Sequence, residues 1–249
     1  MLSVIIPVLN EAENLERLLP HLCVTCPEAE VIVVDGGSED KTSAVVRRFP
    51  RVRLLSSERG RARQMNAGAK VANGECLLFL HADTLLPAGA EAAILEAVSS
   101  PDIVAGRFDV RFDNLRPVFK VIAFFINLRS RVTKICTGDQ ALFVRRRTFE
   151  ELGGYPDIPL MEDVEFAKRL KRKGAMSCLR LKVTTSARKW EQGGVLRVVL
   201  LMWMLRFCYF VGVRPEQVHR WYYPSLASPD RGESEAMRAE LSTPDVKRG

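Results

Sequence analysis

A chain of 249 residues is long enough to bury roughly 70 to 75% of its unfolded surface, so a full core needs no cross-links. Of its six cysteines only Cys23 and Cys26 stand close together, which argues against a disulfide scaffold and is weak as a zinc or redox signature. The net charge of +7 is uneven, −4 over residues 1–113, +12 over 114–223 and −1 beyond; a basic second half suits nucleic acid, an anionic membrane or a phosphorylated substrate, and charge alone does not choose.

The opening residues carry neither a basic leader nor a small-residue cleavage site, so a cytoplasmic location is expected. Residues 3–8 form a short apolar run, and Asn10 to Glu13 has the spacing of a helix capping box ahead of Leu15, Leu18, Leu19 and Leu22. The first turn contains neither Gly-x-Gly-x-x-Gly nor a P-loop, which removes two nucleotide-binding schemes. Residues 31–34 read as a buried strand running into Asp35, Gly36 and Gly37 and then an acidic first helical turn at Glu39 and Asp40, with Val45, Val46 and Phe49 facing inward. A third strand at 52–55 and a helix at 61–72 complete an alternation that predicts parallel βαβ units.

Residues 77–80 are four large apolar side chains in a row, the mark of a strand buried on both faces, and His81-Ala82-Asp83-Thr84 follows at its carboxyl end. In open α/β sheets ligands bind at that edge. Asp35 and Asp83 both end apolar strands there; either alone also reads as a cap or turn residue, but together they favour a site, with Asp83 as the first candidate metal ligand. Residues 107–113 alternate strictly, as a half-exposed strand does, so the sheet is expected to become mixed. Pro117 opens an apolar helix at 118–126 that ends in Arg129, Arg131 and Lys134, and residues 137–140 lead into a strand at 141–144. Glu162 and Asp163 start a helix that runs to Gly174. They serve either capping and the macrodipole or general-base chemistry, one accepting a proton while the other holds the backbone or a cation.

Residues 195–213 are almost all apolar, but Arg197 and Arg206 are nine apart and so lie on opposite faces of a helix. An arginine inside a span costs roughly 2.5 to 3.5 kcal/mol, so this segment reads as a helix packed on the core or lying in a membrane interface. The expected organisation is a domain at 1–194, an apolar and basic helical segment at 195–223, and a mobile tail at 224–249.

In this order, from about Ser3 to Trp190, these residues resemble the family 2 glycosyltransferases of the GT-A fold. The wording of 60–68, 137–143 and 186–190 is similar to a bacterial subgroup labelled radical-SAM/selenodomain-associated transferases. The resemblance implies an α/β, Rossmann-like, mixed but mainly parallel sheet flanked by helices, with apolar helices at its C-terminal end. It implies a first nucleotide loop holding Pro7, Asn10 and Glu11, a second in which Asp35 and Gly36 meet the base, with uracil favoured, and a segment with Arg63 and Asn66 beside ribose and diphosphate. His81-Ala82-Asp83 stands in the place of the family's Asp-x-Asp metal motif. Asp83 is carried over as a ligand for magnesium or manganese; His81 departs from the pattern and suits manganese better than magnesium. Glu162 and Asp163 occupy the catalytic-base motif, with Asp163 as the base. Asp139 and Gln140 are expected to orient the donor sugar or the acceptor. Arg188 and Trp190, a remnant of the processive enzymes' Gln-x-x-Arg-Trp, either close over the diphosphate or pack on the next helix, so transfer of one sugar is expected rather than polymerisation.

The implied reaction moves a sugar with inversion from a nucleoside diphosphate sugar to a hydroxyl acceptor, soluble or lipid-linked. Three rivals stand beside it: a sugar nucleotidyltransferase, whose glycine- and arginine-rich first loop is absent here; a non-catalytic sugar- or lipid-binding module, suggested by His81; and a nucleic-acid binder, which the scattering of the arginines among apolar helices disfavours. Residues 119–126 and 196–213 are either a helical layer over the sheet or a peripheral contact with the inner face of the cell membrane.

Overall fold

The computed structural model describes residues 1–215, Gln217 and Trp221; the expected tail at 224–249 and the end of the segment at 195–223 lie outside the described residues. The chain divides into two compact units, the first Met1–Lys189 and the second beginning at Trp190.

In the first unit, β1 (Leu2–Val8), β2 (Glu30–Asp35), β3 (Val52–Ser56) and β4 (Cys76–Phe79) alternate with α1 (Ala12–Thr25), α2 (Thr42–Arg47) and α3 (Arg61–Val71). All four residues of β4 are buried, and β1 is buried apart from Pro7, which is half-buried opposite Val34. Apolar side chains on both faces leave these strands stable only between helices, and α1 covers them with Leu15, Leu18, Leu19 and Leu22. Next come β5 (Thr84–Leu85), α4 (Ala90–Ser99), β6 (Ile103–Phe112), α5 (Pro117–Thr133), a 3₁₀ turn (Gly138–Gln140), β7 (Phe143–Arg145), α6 (Arg146–Glu151), α7 (Glu162–Lys173) and β8 (Ala175–Thr185).

Among the described residues these strands form one eight-stranded sheet in the order β3-β2-β1-β4-β7-β6-β8-β5. The first four are parallel, β7 runs against both β4 and β6, and β8 runs parallel to β6. The reversals fall at β7 and at the two-residue edge strand β5, which runs against β8, so the carboxyl ends of β1, β2, β4, β6 and β8 share one edge with the turn that leads into β7.

The mixed sheet agrees with the alternation at 107–113, but the half-exposed strand does not. Arg107 and Asp109 are 1% and 7% exposed. They escape an unpaired buried charge by ion-pairing with each other, while Asp109 Oδ2 also accepts from Arg131 of α5 at 2.6 Å. α5 is further fixed by Asn127, which donates to Val110 O at 3.0 Å and accepts from Val110 N at 2.8 Å, as a neighbouring strand would. β8 and α4 went unread in the sequence. β8 mixes lysine and arginine with apolar residues and is buried only at Val183 and Thr185, so its pattern carries no clear period.

The second unit takes in the last residues of α8 (Arg188–Gly193) and α9 (Val195–Phe210). No helix among the described residues is long and apolar enough to cross a membrane.

Candidate active site

The loops after β1 and β2 are tied to each other by side chains. Asn10 adopts the left-handed conformation (φ 55°) and turns away from α1. Its Oδ1 accepts from the N–H of Glu39 (2.8 Å) and Asp40 (3.4 Å), and its own N–H donates to Ser38 Oγ (2.9 Å). The expected capping box therefore does not form. The first amides of α1 are satisfied from the other loop instead, Glu11 N–H by Thr42 Oγ1 (2.9 Å) and Ala12 N–H by Asp40 Oδ2 (3.2 Å). Asp40 also accepts from Thr42 N–H, so the acidic residues expected inside α2 stand just before it.

Asp35 is buried, and its Oδ1 accepts from Gly37 N–H (3.2 Å), Ser38 N–H (2.8 Å) and Ser38 Oγ (2.6 Å), while Oδ2 accepts from Ser43 Oγ (2.8 Å). Burial opposes its charge, but the Ser38, Ser43 and Gly37 donors outweigh it and hold the carboxyl below the usual range. Asp35 is first of all a loop-shaping residue, and Oδ2, with a single donor, is the oxygen with capacity to spare. Buried Gln64 of α3 staples the two strand ends, its Nε2 donating to Val8 O (2.7 Å) and Val34 O (2.8 Å). A Cβ at Gly36 would meet that amide at 3.0 Å, which is why a glycine stands there.

Further along α3, Arg63 is engaged by surface acids. Its Nε donates to both carboxylate oxygens of Asp157 (3.0 Å each) and its Nη1 to Glu58 (2.8 Å), on the outer side of the helix. Arg61, two residues earlier and so about 200° away, faces the site and reaches Glu162 Oε1 at 3.5 Å. Asn66 likewise has a different role. Its amide exchanges hydrogen bonds with the backbone of Tyr155 (2.8 and 2.9 Å), so it fixes the turn at Gly154 (φ 73°) and the ring cluster of Tyr155, Phe79, Phe149 and Phe166.

Asp163 projects from the first turn of α7 with both oxygens engaged by backbone: Oδ2 accepts from Gly138 N–H (2.8 Å) and Oδ1 from Val164 N–H (2.7 Å). Glu162 is 3% exposed; burial first, and then the charge of Asp163, push its carboxyl up to about 7 against the pull of Arg61. Met161 just ahead is left-handed (φ 70°), a conformation that costs a non-glycine residue roughly 1 to 2 kcal/mol and that aims both acids. These acids share a cleft with Arg61, Tyr155, Gly138 and His81. The His81 ring lies against Gly138 so closely that any Cβ there would strike it. Gln140 is fully buried, donating to Ser130 Oγ (3.0 Å) and accepting from Thr137 N–H (3.4 Å). It frames the 3₁₀ turn from within the protein; Asp139, from the same turn, stays half-buried and reaches Asp83 through its charge.

With that geometry in place, a profile described as Glycosyl transferase family 2 matches residues 3–153. The chain belongs to glycosyl transferase family 2. It is 34% identical over 166 residues to a PGL/p-HBAD biosynthesis glycosyltransferase of Mycobacterium bovis, covering 62% of this chain and 63% of that protein. It is 29% identical over 190 residues to glycosyltransferase AglE of Haloferax volcanii, covering 69% of this chain and 62% of the relative. The chain thus spans less than two thirds of each relative's length. Among solved structures, the mannosyltransferase PcManGT from Pyrobaculum calidifontis in complex with GDP-Man and Mn²⁺ superposes with a TM-score of 0.63 at 21% identity, covering 97% of this chain and 78% of that one. TarS from S. aureus in complex with UDP gives 0.63 at 20% identity over 74% and 60%. The fold is the GT-A fold of this family.

At the family's metal position the chain carries His81 and Asp83. Asp83 lies beside Asn14, Arg17, Asp113 and Thr184 and feels the charges of Arg61 and Asp139, and His81 lines the cleft of Asp163 and Arg61. Among the described residues no three His, Cys, Asp or Glu side chains gather as a metal cluster. Burial pushes the Asp83 carboxyl up, and so does Asp139, while Thr84 and Arg61 pull it down; burial raises Glu11 as well, and Asp83 adds to that. This desolvated, mutually repelling set fits a divalent cation that takes one carboxylate from the protein and its other oxygens from phosphates and water. Of the remnant motif, Arg188 is exposed at the start of α8 with its charge reaching Glu11, and Trp190 belongs to the second unit.

The site residues missed in the sequence are Arg61, Gln64 and Gly138. Arg61 had a readable signal. Gly68, where a Cβ would come within 2.5 Å of Ile5, marks the inner face of α3, and Arg61 lies seven positions before it on that same face.

Proposed function

We propose that this chain transfers one sugar from a nucleoside diphosphate sugar to a hydroxyl acceptor with inversion at the anomeric carbon. The observation that carries the reading is Asp163, oriented by two backbone amides beside the buried Glu162–Arg61 pair, on the same sheet edge as Glu11, Asp83 and Asp139. Asp163 takes the acceptor's proton as the oxygen attacks the face opposite the leaving diphosphate. Glu162 keeps the pair from carrying two full charges near neutrality, because burial and Asp163 both penalise its ionised form. Arg61 is the cation nearest the acids and sits where charge grows on the leaving group. When bound, a divalent magnesium or manganese ion held by Asp83 supplies neutralisation of the diphosphate. The clamp between Asn10, Ser38, Asp40 and Asp35 holds the nucleoside side, with Asp35 Oδ2 placed to accept from a ring N–H such as that of uracil.

The test is a binding and hydrolysis screen of UDP- and GDP-sugars with Mn²⁺, Mg²⁺ or EDTA. One donor should bind in a metal-dependent way, Asp83→Ala should abolish that dependence, and Asp163→Asn should slow turnover roughly 10²- to 10⁴-fold with donor affinity within about twofold. Equal loss of binding and turnover in Asp163→Asn would remove it as the base. A binding module without turnover is the second reading, favoured by a histidine, His81, in the place of the metal motif's first acid; a donor bound but never cleaved or transferred would establish it.

A further inference from the structure

The outer face of α5 has no role in the site, and its chemistry is uniform. Phe119, Ala123 and Ser130 turn inward, and the Asn127–Val110 and Arg131–Asp109 links lock the helix to β6. Outward stand Val121 (53% exposed), Phe124 (61%), Phe125 (57%), Leu128 (44%) and Val132 (74%), with Leu115 (84%) just before the helix. A rigid helix that presents six large apolar side chains to water is expected to be covered by something.

The charges around the face choose the cover. Residues 114–134 hold five lysines and arginines and no aspartate or glutamate. A second copy of the same helix would set this basic rim against itself, whereas an anionic surface is complementary to it. Lys120 and Arg116 are exposed, as is Lys134 at the other end of the helix, so cations flank the apolar stripe along its length. At 17 residues the helix is about 25 Å long and lies along the protein surface, which suits lying in an interface rather than crossing one.

We propose that the α5 face is a docking surface for an anionic lipid bilayer, with Phe124 and Phe125 entering the acyl boundary and Arg116, Lys120 and Lys134 at headgroup level. The C-terminal end of α5 is joined to the 3₁₀ turn of the site, through Ser130 to Gln140 and Arg129 to Thr137. On the transferase reading, on which this one consequence rests, the acceptor hydroxyl is carried by a lipid and arrives from that side. Docking itself needs neither donor nor turnover.

The experiment is flotation of the full chain with vesicles of phosphatidylcholine alone and with 30% phosphatidylglycerol, at low and at 0.5 M salt, beside sedimentation without lipid. Wild type should float with anionic vesicles at low salt, Lys120→Glu should lower the bound fraction several-fold, and Phe124→Ser/Phe125→Ser at least tenfold. Both variants should keep the wild-type far-UV circular dichroism and urea midpoint, which shows that they fold. Failure to float, equal flotation on neutral vesicles, or unchanged flotation of the phenylalanine variant would overturn the assignment. So would a concentration-dependent dimer that the same substitutions dissociate, which would make the face an interface between copies.

Discussion

The two halves of the sheet build their parts of the site by different physics. Around β1, β2 and α3 the work is done by neutral or locally satisfied groups: Asn10, Ser38, Asp35 and Gln64 spend their hydrogen bonds on backbone a loop away. Around β6, α5 and α7 it is done by charged groups, the buried Arg107, Asp109 and Glu162 beside the half-buried Arg131 and Asp163. A clamp of hydrogen bonds suits a loop that must keep one shape against a rigid nucleoside. A buried acid beside a second acid suits the place where a proton moves, because burial and the charge of Asp163 together raise the Glu162 carboxyl.

The sharpest way to break that comparison is Asp109→Ala. It strands Arg107, whose Nε already lacks a partner, inside the sheet, and should cost about 3 to 5 kcal/mol in urea unfolding; a loss below about 1 kcal/mol would mean that water reaches the arginine. Next is Glu162→Gln. Because the folded carboxyl is raised from 4.5 to about 7, the native state binds more protons than the unfolded one in that interval, so Glu162 makes stability fall as pH rises through it. The glutamine variant should therefore gain on wild type between pH 5 and pH 8, by about 3 kcal/mol at most, as measured by urea melts at both pH values. Parallel curves would show that the acid is not held in its neutral form.

On the hydrogen-bonded side the effects should be smaller. Arg61→Ala should lower kcat/KM for the donor about 10- to 100-fold, roughly 1.4 to 2.7 kcal/mol, whereas Arg63→Ala changes it less than twofold; the reverse ranking would restore Arg63 to the site. Gln64→Ala leaves two strand-end carbonyls without their donor and should cost about 1 to 3 kcal/mol of stability, with Gln64→Glu no better, since a carboxylate donates to neither.

Legibility in the sequence followed the same division. The strands β1 to β4, the helix starting at Glu162 and the ligand edge bearing Asp35 and Asp83 were readable, because apolar runs and the polar residues that end them are local signals. The burial of Arg107 and Asp109 was not readable: alternation reports period and says nothing about whether the polar face finds a partner from α5. Arg63, Asn66 and Gln140 looked like ligand contacts by motif alone, yet each is engaged by protein: Asp157, the Tyr155 backbone and Ser130.

The sequence by itself determined the family, the βαβ half of the fold and which carboxylates end on the ligand edge, since hydrophobic period and turn chemistry are written along the chain within a few residues. Only the tertiary structure decided which arginine faces the acids, which amides hold Asp163 and which face of α5 meets water. Each of those depends on the phase of a helix against a partner tens of residues away, and that phase is set by packing.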